Sequence, residues 1–161
     1  YPHIHAIPDK VNKDNLPEDA FYQIFEMNVD GTGVRRLTHG KYDDFDARYL
    51  PDGGIVFCSS RCHRFVPCWR TQVATLYRCG ADGQNIRMIS NNAEKENTPW
   101  MMPHGRVVDM RCEYVDRQMI LYDDLWSINP DGTAGWLVLG TDDDPVDVLG
   151  RELRVLVGRP V

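Results

Sequence analysis

At 161 residues, with 42% hydrophobic residues and a net charge of −6, the chain has the size and apolar content of one ordinary globular domain. Its 18 Lys and Arg residues are scattered rather than gathered into a stripe, which argues against nucleic-acid binding. No run approaches the ~18 consecutive apolar residues of a membrane-spanning helix, and five cysteines cannot all pair within the chain.

Residues 1–20 hold three prolines, two histidines and no sustained hydrophobic period, which marks an irregular entry segment. His3 and His5 would share one face of an extended chain, but no further metal ligand stands near them in sequence. With Tyr1 first and no charged-then-apolar leader, any signal peptide is expected upstream or already removed. Residues 23–28, the Asp30-Gly31 pair and residues 34–38 then read as a hairpin, because glycine takes the positive φ that a tight turn needs and aspartate tolerates it. Residues 41–46 follow as a connecting loop. Its carboxylates, Asp43, Asp44 and Asp46, are too close together for acid–base work across a substrate, and are expected to cap turns or face solvent at a blade edge.

The pattern is set by residues 46–90. Two short β-runs flank Pro51-Asp52-Gly53 and two more flank Asp82-Gly83, giving a four-stranded antiparallel unit. A shift of 52 residues carries Leu50-Pro51 onto Met102-Pro103, Ile24-Phe25 onto Leu76-Tyr77, and Asp30-Gly31 onto Asp82-Gly83 without a gap. A shift of 49 then carries Asp82-Gly83 onto Asp131-Gly132. A period near 50 made of four short strands is the signature of β-propeller blades. The expected fold is all-β: half a blade at 21–38 and whole blades of four-stranded antiparallel sheet at 46–90 and 97–140, about two and a half blades of a partial ring. Closed rings take about 4–8 blades, so other blades or domains of the same protein are the expected partners. Uncovered terminal blades should leave this stretch, alone, marginally stable or self-associating.

The second-to-third strand connection of the first whole blade carries Cys58, Arg61, Cys62-His63 and Cys68-Trp69. Three readings stay open. Cys58 with Cys62-His63 gives C-x-x-x-C-H, one residue longer than a haem attachment motif. Cys58, Cys62, Cys68 and Cys79 are four potential thiolate ligands, at spacings unlike a zinc knuckle. The third reading is structural: the repeat aligns Cys58 with Met110, and Cys79 with Met27 and Ile128, so both thiols are expected to fill core slots. That leaves Cys62 and Cys68 as the metal candidates, or as a disulfide in an oxidising compartment. No cofactor is expected to belong to this chain; zinc or a haem contact is the alternative.

In the second whole blade His104-Gly105 makes the turn and Asp109 replaces Phe57 on a face that should be apolar. Buried alone, that carboxylate would be costly, so it is expected to pair with Arg111 or Arg117 or to mark an irregularity. Loops between strands carry ligand contacts in propellers, and Arg61, Glu113, Tyr114, Asp116 and Arg117 are therefore the candidate polar surface site. The competing reading is a salt-bridged blade edge. Residues 141–161 lack the glycine and bidentate glutamate of a calcium loop, match no repeat position and remain an unassigned tail.

Leu50-Pro51-Asp52-Gly53 before a strand and Arg36-Leu37-Thr38 closing one resemble the TolB-type propeller repeat over about 21–140. Within it, the Cys58 to Cys62 run, Cys68-Trp69, the Glu96 to Trp100 run, the Glu113 to Arg117 run and Leu125-Trp126 resemble the middle domain of hydrazine synthase alpha-subunit-like proteins. The first resemblance implies an exported protein, periplasmic or otherwise extracytoplasmic. The second implies a propeller beside haem domains, which keeps a metal or haem-proximal role open for the cysteine loop. His63 is no part of it, and Asp123-Asp124 stands where related sequences carry histidines. A non-catalytic scaffold that binds protein partners is the expected function, with the propeller portion of a haem- or metal-dependent oxidoreductase as the alternative. A prolyl-oligopeptidase-type peptidase would need a G-x-S-x-G elbow, and the sequence holds none.

Overall fold

Every Asp-Gly pair read as a turn closes a hairpin in the computed structural model, which describes residues 15–65, 72–112 and 123–139. The turn glycines take positive φ, from 79° at Gly83 to 93° at Gly132. The aspartates before them fix the turn from the other side: Asp30, Asp52, Asp82 and Asp131 each accept, on Oδ1, the backbone N–H two residues on, at 2.8–3.0 Å.

Among the described residues these hairpins organise ten strands into three antiparallel sheets. Strands β1 (Phe25–Glu26) and β2 (Arg35–Arg36) form a two-stranded sheet. Strands β3 (Asp44–Tyr49), β4 (Ile55–Ser59), β5 (Thr75–Cys79) and β6 (Arg87–Met88) lie side by side in chain order, as do β7 (Glu96–Met101), β8 (Val107–Cys112), β9 (Asp123–Ile128) and β10 (Trp136–Leu139). The 52-residue register reappears bond by bond. Leu37 N–H donates to the Ile24 carbonyl as Ile89 does to Leu76, and Leu50 to Gly54 as Met102 does to Arg106. Even the irregularities repeat: β3 and β7 each break register at a left-handed residue, Asp46 (φ 55°) and Thr98 (φ 52°).

Alternation along the strands gives the first whole blade two apolar faces, and both are covered. Val56, Cys58 and Leu76 pack with Val107 and Ile128 of the next blade, while Ile55, Phe57, Tyr77 and Cys79 pack with Ile24 and Leu37 of the hairpin before it. Full burial of each large side chain contributes about 1.5–3 kcal/mol, so these two seams hold the stack. Phe25 and Met27, the repeat equivalents of Tyr77 and Cys79, are 58% and 64% exposed against 8% and 2%. The face they form has no cover among the described residues.

One expectation is corrected. Asp44, read as part of a solvated connecting loop, is the first residue of β3 and only 1% exposed. Among the described residues no helix is long and apolar enough to cross a membrane.

Candidate functional site at the loop end of the blades

Antiparallel pairing gathers the connections at two ends. The tight turns lie at one, whereas Asp44, Ser59 and Thr75 stand level across β3, β4 and β5 at the other, as Glu96, Arg111 and Asp124 do across β7, β8 and β9. The longer connections therefore leave from this second end. A cleft of about 390 Å³ opens there between successive blades. Phe45 and buried Ala74 give it an apolar lining, Tyr22 closes one side, and Asp43, Ser60, Gln72 and Lys95 supply polar groups.

Arg61 belongs to this end but is turned inward. Its Nη2 donates to Asp44 Oδ2 at 2.7 Å and to the His39 carbonyl at 3.1 Å, and its guanidinium lies 4.5 Å from the centre of the Tyr42 ring. Asp44 Oδ1 accepts the Ser59 hydroxyl at 2.5 Å. The next blade builds the same clasp from different residues. Arg111 Nη2 pairs with Glu96 Oε1 at 2.8 Å, while Glu96 Oε2 accepts the Ser90 hydroxyl and, at 3.0 Å, the Leu76 N–H. Both carboxylate side chains are wholly buried. Burial is tolerable there because each charge is paired and hydrogen-bonded. Arg61 is thus a structural clasp as well as a loop-end residue.

Asp109 fares differently. Of its two expected partners, Arg117 lies outside the described residues and Arg111 comes no closer than 4.0 Å through Nε, beyond hydrogen-bond reach, so that neither Asp109 oxygen has a donor among the described residues. Burial first, and the Glu96 charge second, push its carboxyl up to about 7, with Arg111 acting the other way. Burial raises Glu96 as well, against the lowering by Ser90, Arg111 and Leu76.

The thiols are dispersed. Cys58 and Cys79 occupy core slots, as the repeat implied, but on opposite faces of the first blade, so neither stands with Cys62 at the loop surface. Burial drives both thiols away from the thiolate, Cys79 to about 11 and Cys58 beyond. Cys62 is a free thiol with Sγ 3.3 Å from the Val73 carbonyl oxygen, and its expected partner Cys68 lies outside the described residues. His63 stacks edge-on against Tyr42 at 5.3 Å. Cys68, Glu113, Tyr114, Asp116 and Arg117 lie outside the described residues. Among the described residues no group of three or more His, Cys, Asp or Glu is placed to hold a metal. The cleft was not anticipated from sequence. The only signal for it was the repeat itself, which sets Asp43 and Lys95, of opposite charge, at equivalent positions.

Four-stranded antiparallel sheets stacked face to face in a 52-residue register define β-propeller blades. No protein-family model matches the chain. The protein Atu1656 of Agrobacterium fabrum is 28% identical over 87 residues, which are 54% of this chain and 27% of that protein. A TolB candidate of Agrobacterium tumefaciens superimposes with a TM-score of 0.59 at 25% identity, covering 76% of this chain and 43% of that one. Hydrazine synthase of Kuenenia stuttgartiensis superimposes with a TM-score of 0.63 at 18% identity, covering 80% of this chain and 23% of that one. The fold is that of a TolB-like propeller, and the chain spans less than half the length of each of these three proteins.

Proposed function

We propose that these blades belong to a non-catalytic propeller scaffold of an exported, periplasmic protein, and that the loop end is the surface that binds a protein partner. The cleft there carries this reading: an apolar lining ringed by Asp43, Gln72 and Lys95 offers area for affinity and charges for register. The inward clasps support it, since Arg61–Asp44 and Arg111–Glu96 fix the strand ends beneath the loops and make a rigid platform. The structural likeness to the TolB candidate supports the exported location.

The test is position-specific photocrosslinking in the full-length protein, with the photoreactive residue at Gln72 or Lys95 and, as controls, at His104 or Gln84 in the turns. An adduct of one defined mass from the loop-end positions, absent from the turn positions, is the expected result. Equal labelling of both ends would refute the assignment. Haem absorbance in the purified whole protein would instead make these blades the propeller portion of a haem-dependent oxidoreductase.

A further inference from the structure

Position 109 interrupts the seam between the two whole blades. Its repeat counterpart Phe57 is a fully buried side chain in the preceding seam, whereas Asp109, 1% exposed, brings a carboxylate into this one. The charges that act on it are those of Glu96 on β7 and Arg111, two residues along β8; the Cys58 thiol of β4 feels Asp109 together with Asp46 of β3, and Asp124 of β9 stands level with Arg111. Counting donors separates the two buried acids. Glu96 receives the Ser90 hydroxyl and the Leu76 N–H on Oε2 and forms an ion pair with Arg111 through Oε1. Asp109 receives none among the described residues, and Arg111, 4.0 Å away, already pairs with Glu96. An ionised Asp109 would add a second buried negative charge beside Glu96, with Arg111 the cation acting on it and already paired with Glu96, which burial penalises heavily.

We propose that Asp109 is held between the blades as a neutral carboxylic acid and acts as an acid-strengthened clasp, closing the seam while protonated and loosening it when the proton leaves. The sign follows from linkage. The closed seam raises the carboxyl from 3.8 to about 7, so between those values the closed state holds a proton that the open state has lost. Stability is therefore full below the lower value, falls as pH rises between the two and levels off above the upper one. Across pH 6 to 8 the closing equilibrium weakens about tenfold. Glu96, also raised, pulls in the same direction, and a change at Asp109 alone separates the two.

Hydrogen exchange at the Leu76 amide, which donates across the seam to Glu96 as well as to Ser90 of its own blade, reads the opening. The comparison is between the wild-type protein and Asp109→Asn, a neutral side chain of nearly the same shape, with rates taken as a ratio at each pH so that intrinsic exchange chemistry cancels. The wild-type-to-variant ratio should rise about tenfold from pH 6 to 8, and Asp109→Asn should melt above wild type at pH 8. A ratio flat with pH, or a variant less stable than wild type at pH 8, overturns the proposal. Should the variant fail to fold, carboxyl ¹³C titration of the wild-type protein decides: a midpoint near 7 for Asp109 supports the clasp, and one near the ordinary 3.8 refutes it.

Discussion

Replacing Gly83 by alanine tests whether the hairpin tips are what seat one blade on the last. Gly83 and Gly53 share a left-handed backbone, φ 79° and 81°, so an alanine at either carries the same local strain, about 1–2 kcal/mol. Their surroundings differ. Around Gly53 nothing lies within 4 Å of an added methyl, whereas at Gly83 it would fall on the Leu37 carbonyl, with the Leu37 C and Cα atoms at 2.9 and 3.0 Å. Those are backbone atoms that cannot rotate aside, so the tip must lift from the preceding blade, at a further cost of about 1–3 kcal/mol. Gly83→Ala should therefore lose about 2–5 kcal/mol against about 1–2 for Gly53→Ala, read by urea titration, with melting shifts of roughly 2–4 °C per kcal/mol. Gly132→Ala, whose methyl would meet the Ile89 carbonyl oxygen at 2.7 Å, belongs with Gly83, and Gly31→Ala, with open space around it, belongs with Gly53. Equal losses at Gly83 and Gly53 would refute the reasoning, because strain alone would then explain both.

Arg61→Ala leaves the wholly buried Asp44 carboxylate with only the Ser59 hydroxyl, and should cost about 3 kcal/mol in denaturant titrations; a neutral result would return Arg61 to the list of free surface residues. In native protein Cys62 should alkylate well before Cys58 and Cys79, which are sealed in the two seams and held as thiols; peptide mass spectrometry that finds Cys58 labelled first would show the seam between the whole blades to be open.

The blades were legible because their period is written in two residues at a time: Asp-Gly demands a tight turn whatever surrounds it, and apolar alternation on either side fixes the strands. The second task of those glycines was hidden for the same reason. A turn already accounts for Gly83, so nothing in the sequence asks whether a neighbouring backbone also needs the space. Asp44 was misread because three aspartates in six residues look solvated, and only Arg61, 17 residues on, makes burial of one of them tolerable. A hint was present, since the shift of 52 places Glu96 at the same position, and an acid at the same repeat position in both blades points to a shared structural partner. The proposed polar surface was legible only as chemistry. Its glutamate, tyrosine, aspartate and second arginine stand outside the described residues, while Arg61 is held in an ion pair with buried Asp44.

A second arginine position shows how one architectural need can be met by different residues, and it gives the sharpest test of the repeat. In the first whole blade Arg78 reaches back from β5 over Gly54, donating to Asp52 at 2.7 Å and to the Pro130 carbonyl of the next blade at 3.1 Å. Gly54 must stay small there, since an added methyl would meet Arg78 Nη2 and the Cys79 carbonyl, each at 2.9 Å. In the second blade the arrangement is reversed. Arg106 occupies the position of Gly54 and reaches forward to the Ser127 hydroxyl at 2.7 Å, to the Ala134 carbonyl at 2.5 Å and over the Trp136 ring at 3.4 Å, while Ser127 stands where Arg78 does in the first blade. If a guanidinium at the start of the second strand is the requirement, Gly54→Arg alone should be severely destabilising because the slot is full, and adding Arg78→Ser should recover part of the loss. The double-mutant cycle should then show a favourable coupling of about 1–3 kcal/mol, the range for residues in contact. Additive losses would mean that the two arginines do separate jobs and that the repeat, at this position, is one of backbone only.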